Sequence, residues 1–213
     1  MKQNGEVTGT LMLLRREFEE RKTAIRCRLA EFAAVPREEY FYELVYCLMT
    51  PQSSAVNAGK AAAMLQQADA LHRELPLADM LFRKEHYIRF HNTKAAHIRA
   101  AREQLPRILE ALAASRDSRE LRAWLVDNVR GLGWKEASHF LRNIGHRDLA
   151  ILDRHILKNL RTYRVLRALP ASLTPKRYLA IELKFARFAR QAGISMDELD
   201  LLFWSRETGV VLK

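Results

Sequence analysis

Two ionisable residues follow a glycine turn in the second half of this 213-residue chain. Lys135 comes two positions after Gly133, and Asp153 comes 18 positions after Lys135. The N–H dipoles of a helix that begins at the turn, together with Arg130, favour the neutral amine of Lys135 over its ammonium. A neutral lysine amine is a nucleophile that forms covalent intermediates. Asp153 can stabilise developing positive charge. The plainer alternatives are a solvated surface lysine and an aspartate that only caps a helix.

The turn before Lys135 has the sequence Gly131-Leu132-Gly133 and lies between two amphipathic patterns. Apolar residues at helical spacing predict one helix over 118–129 and another over 135–144. Glycines let the backbone turn sharply and approach another backbone closely. The exposed N–H groups at the start of the second helix favour an anion such as a DNA phosphate. Taken alone, however, the turn is more typical of an ordinary αα-hairpin.

Helical periodicity also dominates the rest of the chain, and no alternation typical of strands is present. Ser53, Ser54 and Thr93 are candidate N-caps, and the apolar run 150–152 is expected to be an extended loop. The sequence therefore predicts an all-α protein, a single unit over 1–213 of two interleaved helical lobes with an active-site cleft and a helix-hairpin-helix motif at about 118–145. The further predicted helices span 11–33, 36–48, 55–70, 79–82, 93–112, 153–160, 175–192 and 196–204.

The charge balance favours an acidic partner. Lys and Arg number 36 against 25 Asp and Glu, which gives a formal net charge of +11. Such a surplus attracts polyanions and releases counterions from nucleic acid, although an unrelated basic protein would have the same surface. The short apolar run 11–14 is followed directly by two arginines, which excludes a signal-peptide core or membrane span there. We expect a cytoplasmic monomer that has no membrane contact.

The two cysteines, Cys27 and Cys47, lie beside apolar or aromatic residues on helical patterns. This placement predicts buried free thiols rather than a disulfide. No Cys-x-x-Cys spacing occurs, which argues strongly against a zinc or iron–sulfur site built on cysteine. No metal site and no required cofactor are expected.

The segment that contains the lysine and the aspartate resembles the signature of the helix-hairpin-helix DNA glycosylase superfamily. The sequence GLGWKEASHFLRNIG, followed by LAILDRHIL, places Lys135 and Asp153 at the positions of that superfamily's catalytic lysine and aspartate. This segment is similar in sequence to the compact, second-type 8-oxoguanine DNA glycosylase/AP lyases, which lack an extra β-domain. The segments 48–53 and 89–95 and the C-terminal end share the likeness. The cysteines of the iron–sulfur cluster in endonuclease III relatives are absent, which argues against the pyrimidine-repair branch.

The resemblance implies a bifunctional enzyme, a DNA N-glycosylase and AP lyase of base excision repair. It would excise 8-oxoguanine from double-stranded DNA and cleave the strand by β-elimination. Lys135 would attack C1′ of a flipped nucleotide, and Asp153 would stabilise the charge on the sugar and help to move protons. The alternatives are a helix-hairpin-helix glycosylase for another lesion, a non-catalytic helix-hairpin-helix DNA-binding protein and an all-α interaction scaffold.

The resemblance also implies how the flipped base is recognised. Trp204 would stack on the base, with Phe90 or His91 on the other side, unless Trp204 is a core residue. Asp200 could accept hydrogen bonds from a guanine edge, or could be a cap or surface residue. The terminal Lys213 would help to distinguish 8-oxoguanine from guanine.

The remaining predicted contacts are with the DNA duplex. Gln52 would fill the gap left by the flipped nucleotide, or would be an ordinary loop residue. The hairpin carbonyls could bind a monovalent cation that bridges to phosphate. His139 and His155 are interpreted as packed helix residues. The predicted duplex contacts are Gly131, Leu132, Gly133, Arg130 and Arg142.

Overall fold

The structure is a computed structural model that describes residues 2–211. Over these residues the chain forms ten α-helices, two short 3-10 helices and no strand, so the predicted all-α class is confirmed. The 3-10 helices span Arg37–Glu39 and Lys84–His86. The α-helices are α1 (Lys2–Ala33), α2 (Tyr40–Met49), α3 (Ala55–Gln67), α4 (Leu77–Leu81), α5 (His91–Ala114), α6 (Ser118–Asn128), α7 (Trp134–Asn143), α8 (Arg154–Thr162), α9 (Pro175–Ala192) and α10 (Met196–Thr208).

The chain divides into two compact units, and the two ends of the chain belong to the same one. The central unit consists of Val35–Ile144 and contains α2 to α7. The terminal unit combines the chain up to Ala34 with the chain from Gly145 onward, and it contains α1 and α8 to α10.

Helix α2 forms the core of the central unit. It packs against α3, α5 and α7, and α6 packs against α7. Nearly all of its side chains are buried, as its apolar sequence predicts. One of them is Glu43, whose Oε2 accepts a hydrogen bond from Nδ2 of Asn143 at 3.0 Å. This bond ties the centre of α2 to the end of α7.

The terminal unit is built around α10, which packs against α1, α8 and α9. Arg206 of α10 donates to Oδ1 of Asn159 and to the hydroxyl of Tyr163, both at 2.6 Å, and to Glu17 of α1 at 2.8 Å. Burial by itself raises the pKa of Glu17, but hydrogen bonds and charge from Arg206 and Arg21 lower the pKa overall. One guanidinium group therefore connects α10 with α1 and with the end of α8.

The capping residues agree with the predictions only in part. Helix α5 begins at His91, so Thr93 lies inside the helix and does not cap it. Ser54 occupies the N-cap position of α3 without a side-chain cap bond. The Ser53 hydroxyl is used elsewhere, since it accepts the N–H of Arg89 and a proton of Lys94.

The thiols are both free, but only Cys47 is buried, so the predicted burial of Cys27 is wrong. Cys27 lies on an exposed face of α1, where its Sγ is 3.6 Å from Oε1 of Glu31. Among the described helices, none is long and apolar enough to cross a membrane.

Candidate functional site

The hairpin between α6 and α7 has one residue in the left-handed region. Gly131 has φ +95°, and a Cβ on it would overlap the imidazole ring of His97 in α5. Gly133 occupies the N-cap position of α7 with extended backbone, and Leu132 between the glycines is buried. Burial, the charge of Arg130 and the charge of Lys94 all lower the pKa of His97, so this ring is neutral at pH 7. The hairpin therefore lies against a neutral imidazole.

Gly131→Ala is expected to lower stability by roughly 1–3 kcal/mol and to weaken DNA binding about tenfold. The alanine would be strained at φ +95°, and its methyl group would displace His97 and the turn. Thermal unfolding and fluorescence anisotropy with a DNA duplex measure the two effects. Gly59→Ala is the control, because nothing lies within 4 Å of that Cβ position and alanine favours the helix. Unchanged DNA affinity in Gly131→Ala would show that the hairpin geometry does not contribute to binding.

Lys135 lies in the first turn of α7, directly after the hairpin. Its side chain is 26% exposed, and its Nζ is 3.1 Å from Oε1 of Glu136. The other oxygen of Glu136 would be 3.0 Å from a Cβ on Gly133. A carboxylate in the first turn is favoured by the helix dipole. The lysine is thus partly accessible to solvent and forms an ion pair with the residue that follows it. Glu136 was not identified from the sequence, where its position beside Lys135 is the only signal.

Lys94 of α5 is a second lysine close to this site, and it was not identified from the sequence either. Its side chain is buried, and its Nζ donates hydrogen bonds to the carbonyls of Met49 and Pro51 and to the hydroxyl of Ser53. Burial, followed by the charge of Lys135, lowers the pKa of Lys94 to about 8. At pH 7 the ammonium form therefore predominates. The only sequence signal is its place in the segment 89–95.

Gln52 and Phe90 both have left-handed backbone, with φ 54° and 59°. Gln52 is exposed, and Phe90 is half-exposed with the guanidinium of Arg89 at 4.9 Å from its ring centroid. The ring of His91 contacts that of Phe82 at a centroid distance of 4.6 Å. Both loops of the central unit that were predicted to contact DNA thus present side chains to solvent.

Arg142 is a correction to the predicted DNA contacts. Only 2% of it is exposed, and its Nη2 donates to Oδ1 of Asn143 at 3.2 Å. It therefore belongs to the interior of the protein and does not reach a phosphate. Arg130, in contrast, is exposed at the hairpin. His139 is buried with its ring 5.5 Å from that of Tyr46, which agrees with its interpretation as a packed residue.

In the terminal unit, Asp153 caps α8, since its Oδ1 accepts the N–H of Ile156 at 2.8 Å. Two residues later, the ring of His155 contacts that of Trp204 in α10 at a centroid distance of 5.1 Å. Trp204 is only partly buried, whereas the three residues before it are fully buried. The start of α8 and the indole of α10 are therefore neighbours, and the indole is not fully buried.

The other two predicted base contacts have different outcomes. Asp200 is buried, with 3% of its surface exposed, so it is neither the surface residue nor the N-cap weighed as alternatives. Lys213 lies outside the described residues. Their roles in base recognition stay predictions.

The family model described as 8-oxoguanine DNA glycosylase matches residues 25–194. Among similar proteins, the 8-oxoguanine DNA glycosylase/AP lyase of Korarchaeum cryptofilum is 44% identical over 83% of this chain and 83% of that protein. The 8-oxoguanine DNA glycosylase/AP lyase of Fusobacterium nucleatum is 37% identical over 92% of this chain and 94% of that protein.

Solved structures give the same result. The crystal structure of the Thermotoga maritima 8-oxoguanine DNA glycosylase has a TM-score of 0.87 at 33% identity, and covers 97% of this chain and 100% of that one. The Methanocaldococcus jannaschii 8-oxoguanine glycosylase/lyase, in complex with a 15mer DNA containing 8-oxoguanine, has a TM-score of 0.83 at 32% identity, and covers 94% of this chain and 100% of that one. With its helix-hairpin-helix and the lysine that follows it, this chain belongs to the 8-oxoguanine DNA glycosylase family.

Proposed function

We propose that this protein excises 8-oxoguanine from double-stranded DNA and then cleaves the strand as an AP lyase. The observation that carries the proposal is the position of Lys135, which is partly exposed at the start of α7, directly after the hairpin, and beside a carboxylate. The names of the relatives support the same pair of activities.

The first step requires a free amine on Lys135. Oε1 of Glu136, 3.1 Å from Nζ, pairs with the ammonium and holds the side chain at the start of α7, and this pair must separate before the amine reacts. The amine then forms a bond to C1′ as the bond from C1′ to the base breaks, and the base leaves with the electron pair and takes up a proton. The bond from C1′ to O4′ then breaks, O4′ keeps the electron pair and takes up a proton, and the lone pair of Nζ completes a Schiff base to C1′.

The lyase step follows from the same intermediate. The Schiff base makes the C2′ proton acidic, and loss of this proton expels the 3′ phosphate with the electron pair of the C3′–O bond. A single lysine thereby accounts for both activities. The carboxylate of Asp153 is proposed to stabilise the positive charge that develops on the sugar during excision.

DNA binding is proposed to depend on the hairpin and on two loops of the central unit. The net charge of +11 favours approach to the duplex. The exposed hairpin glycines and Arg130 lie where backbone N–H groups and a guanidinium can meet phosphates. Gln52 is proposed to fill the space that the flipped nucleotide leaves, and Trp204 to stack on the extruded base.

Borohydride trapping tests the proposed function. The protein is incubated with a duplex that contains one 8-oxoguanine opposite cytosine, reduced with borohydride and run on a denaturing gel. We expect a covalent complex with the damaged duplex and none with undamaged guanine. Trapping on another lesion instead would assign a different substrate. Binding without trapping, on this duplex and on an abasic-site duplex, would indicate a non-catalytic helix-hairpin-helix protein.

Deletion of Lys213 is expected to reduce the discrimination between 8-oxoguanine and guanine by about tenfold, the effect of one lost hydrogen bond near the base. The measurement is the ratio of single-turnover excision rates on the two bases. Cleavage of a preformed abasic site serves as the control, because it involves no base and should be unchanged. Equal selectivity in the truncated and full-length proteins would remove Lys213 from base recognition.

A further inference from the structure

The ammonium group of Lys94 is buried and donates hydrogen bonds to three uncharged acceptors. Nζ is 2.6 Å from the carbonyl oxygens of Met49 and Pro51 and 3.0 Å from Oγ of Ser53. An ammonium has three donors, and these three bonds use all of them. Met49 is the last residue of α2, where the negative end of the helix dipole stabilises a cation. Three hydrogen bonds therefore hold Nζ of Lys94 in one position, unlike the ammonium of a surface ion pair.

Two of the three acceptors belong to the residues that flank Gln52 in the sequence. Pro51 precedes it and Ser53 follows it, while Gln52 itself has φ 54°. Such a conformation costs a residue with a side chain about 1–3 kcal/mol and persists only where neighbouring contacts impose it. The bonds from Lys94 are contacts of this kind, so they fix the backbone at Gln52 and with it the direction of its Cα–Cβ bond.

The same ammonium connects this turn to the loop that carries Phe90. Oγ of Ser53 also accepts the N–H of Arg89 at 3.0 Å. The backbone N–H of Lys94 donates to the carbonyl of Phe90 at 3.0 Å. Phe90 has φ 59° and is half-exposed, so both loops present a strained, exposed residue next to the same buried group.

We propose that Lys94 and Ser53 are positioning residues for base extrusion, which hold the loop of Gln52 against the loop of Phe90 so that Gln52 enters the DNA stack with its backbone already fixed. This inference rests on the proposed function, because it assigns the step before excision to these loops. An insertion element lowers the cost of unstacking only when its shape is present before the DNA binds, since ordering it on binding would consume binding free energy. The charge of Lys94 thus acts through the geometry of the loops.

The test compares two substrates that differ in the cost of extrusion. In one duplex 8-oxoguanine is opposite cytosine, and in the other it is opposite an abasic-site analogue and has no pairing partner. We expect Ser53→Ala to slow single-turnover excision from the paired duplex about tenfold, and from the unpaired duplex less than about threefold, because the unpaired base is cheaper to flip. Lys94→Met should show the same contrast with larger losses.

The controls are matched to these variants. Ser54→Ala removes the neighbouring hydroxyl, which makes no cap bond, and Lys60→Met removes an exposed lysine of α3. Both should behave as the unaltered protein on the two duplexes. Lys94→Arg keeps the charge, and it should recover part of the rate on the paired duplex. If Lys94→Met does not fold, Ser53→Ala alone decides.

A second measurement does not depend on excision. In the Lys135→Gln background, a 2-aminopurine next to the lesion reports unstacking by its fluorescence when the protein binds, and Ser53→Ala should reduce that rise. Equal losses on both duplexes, or equal behaviour of Ser53→Ala and Ser54→Ala, would overturn the inference. If the unaltered protein excised no 8-oxoguanine, the proposed function would fail, whereas the fluorescence difference would still decide the role of the two loops.

Discussion

Lys135→Gln is expected to abolish base excision, strand cleavage and borohydride trapping while DNA binding is retained. The amide nitrogen of glutamine has its lone pair delocalised, so it cannot attack C1′ or form a Schiff base. We expect the single-turnover excision rate to fall by about 10⁴-fold or more, as in enzymes that lose their nucleophile. Anisotropy with the damaged duplex should change by less than about threefold, because the substitution lies beside the hairpin and leaves its glycines intact.

The control for this variant is Lys60→Gln, which removes an exposed lysine of the same unit. It should form the covalent complex at the rate of the unaltered protein. A trapped complex in Lys135→Gln would assign the nucleophile to another amine. Lys94 would then be the first candidate, because the charges of these two lysines influence each other and burial already lowers the pKa of Lys94 to about 8.

The helices could be predicted where local chemistry and packing agree. Helix α9 has the predicted bounds, Pro175–Ala192, and in the structure the side chain of Thr174 caps its start and Gly193, with φ 70°, follows its end. The start of α5 could not be predicted in this way. Thr93 is a residue type that favours N-cap positions. The helix instead begins after Phe90, whose left-handed backbone is a conformation that aromatic residues rarely adopt. Contacts distant in sequence impose that turn, and a local pattern does not contain them.

The residues of the site also differ in whether the sequence alone identifies them. Lys135 and Asp153 are recognisable because their spacing from the glycine turn, together with the family resemblance, depends only on order along the chain. Lys94 is not recognisable, since its three acceptors are 41 to 45 positions away and define its role only in the folded protein. Arg142 shows the opposite error, because its charge suggested a surface contact whereas its side chain is buried and donates to Asn143.

Asp153→Asn is expected to slow excision by about 10²–10³-fold with little loss of stability. The carboxylate has one observed contact and one proposed role. Oδ1 caps α8 through the N–H of Ile156, and an asparagine oxygen can accept the same bond. The negative charge, which is proposed to stabilise the sugar cation, is lost in the variant. Thermal unfolding and single-turnover excision measure the contact and the proposed role independently.

Two further variants separate the cap from the charge. Asp153→Ala removes both the cap bond and the charge. It should slow excision about as much as Asp153→Asn does, and it should also lower the stability by about 1 kcal/mol. Asp117→Asn is the matched control, because Asp117 caps α6 through the N–H groups of Arg119 and Glu120. It loses the same charge and keeps the same kind of cap, so excision should be unchanged.

The comparison decides what the carboxylate of Asp153 contributes. If Asp153→Asn excises 8-oxoguanine at the rate of the unaltered protein, the charge is not used and Asp153 is only a helix cap. If Asp153→Asn loses rate but still forms the trapped complex at an abasic site, the charge acts on departure of the base. This second result is the one we expect, because positive charge develops on the sugar as the base leaves, whereas an abasic site has already lost its base.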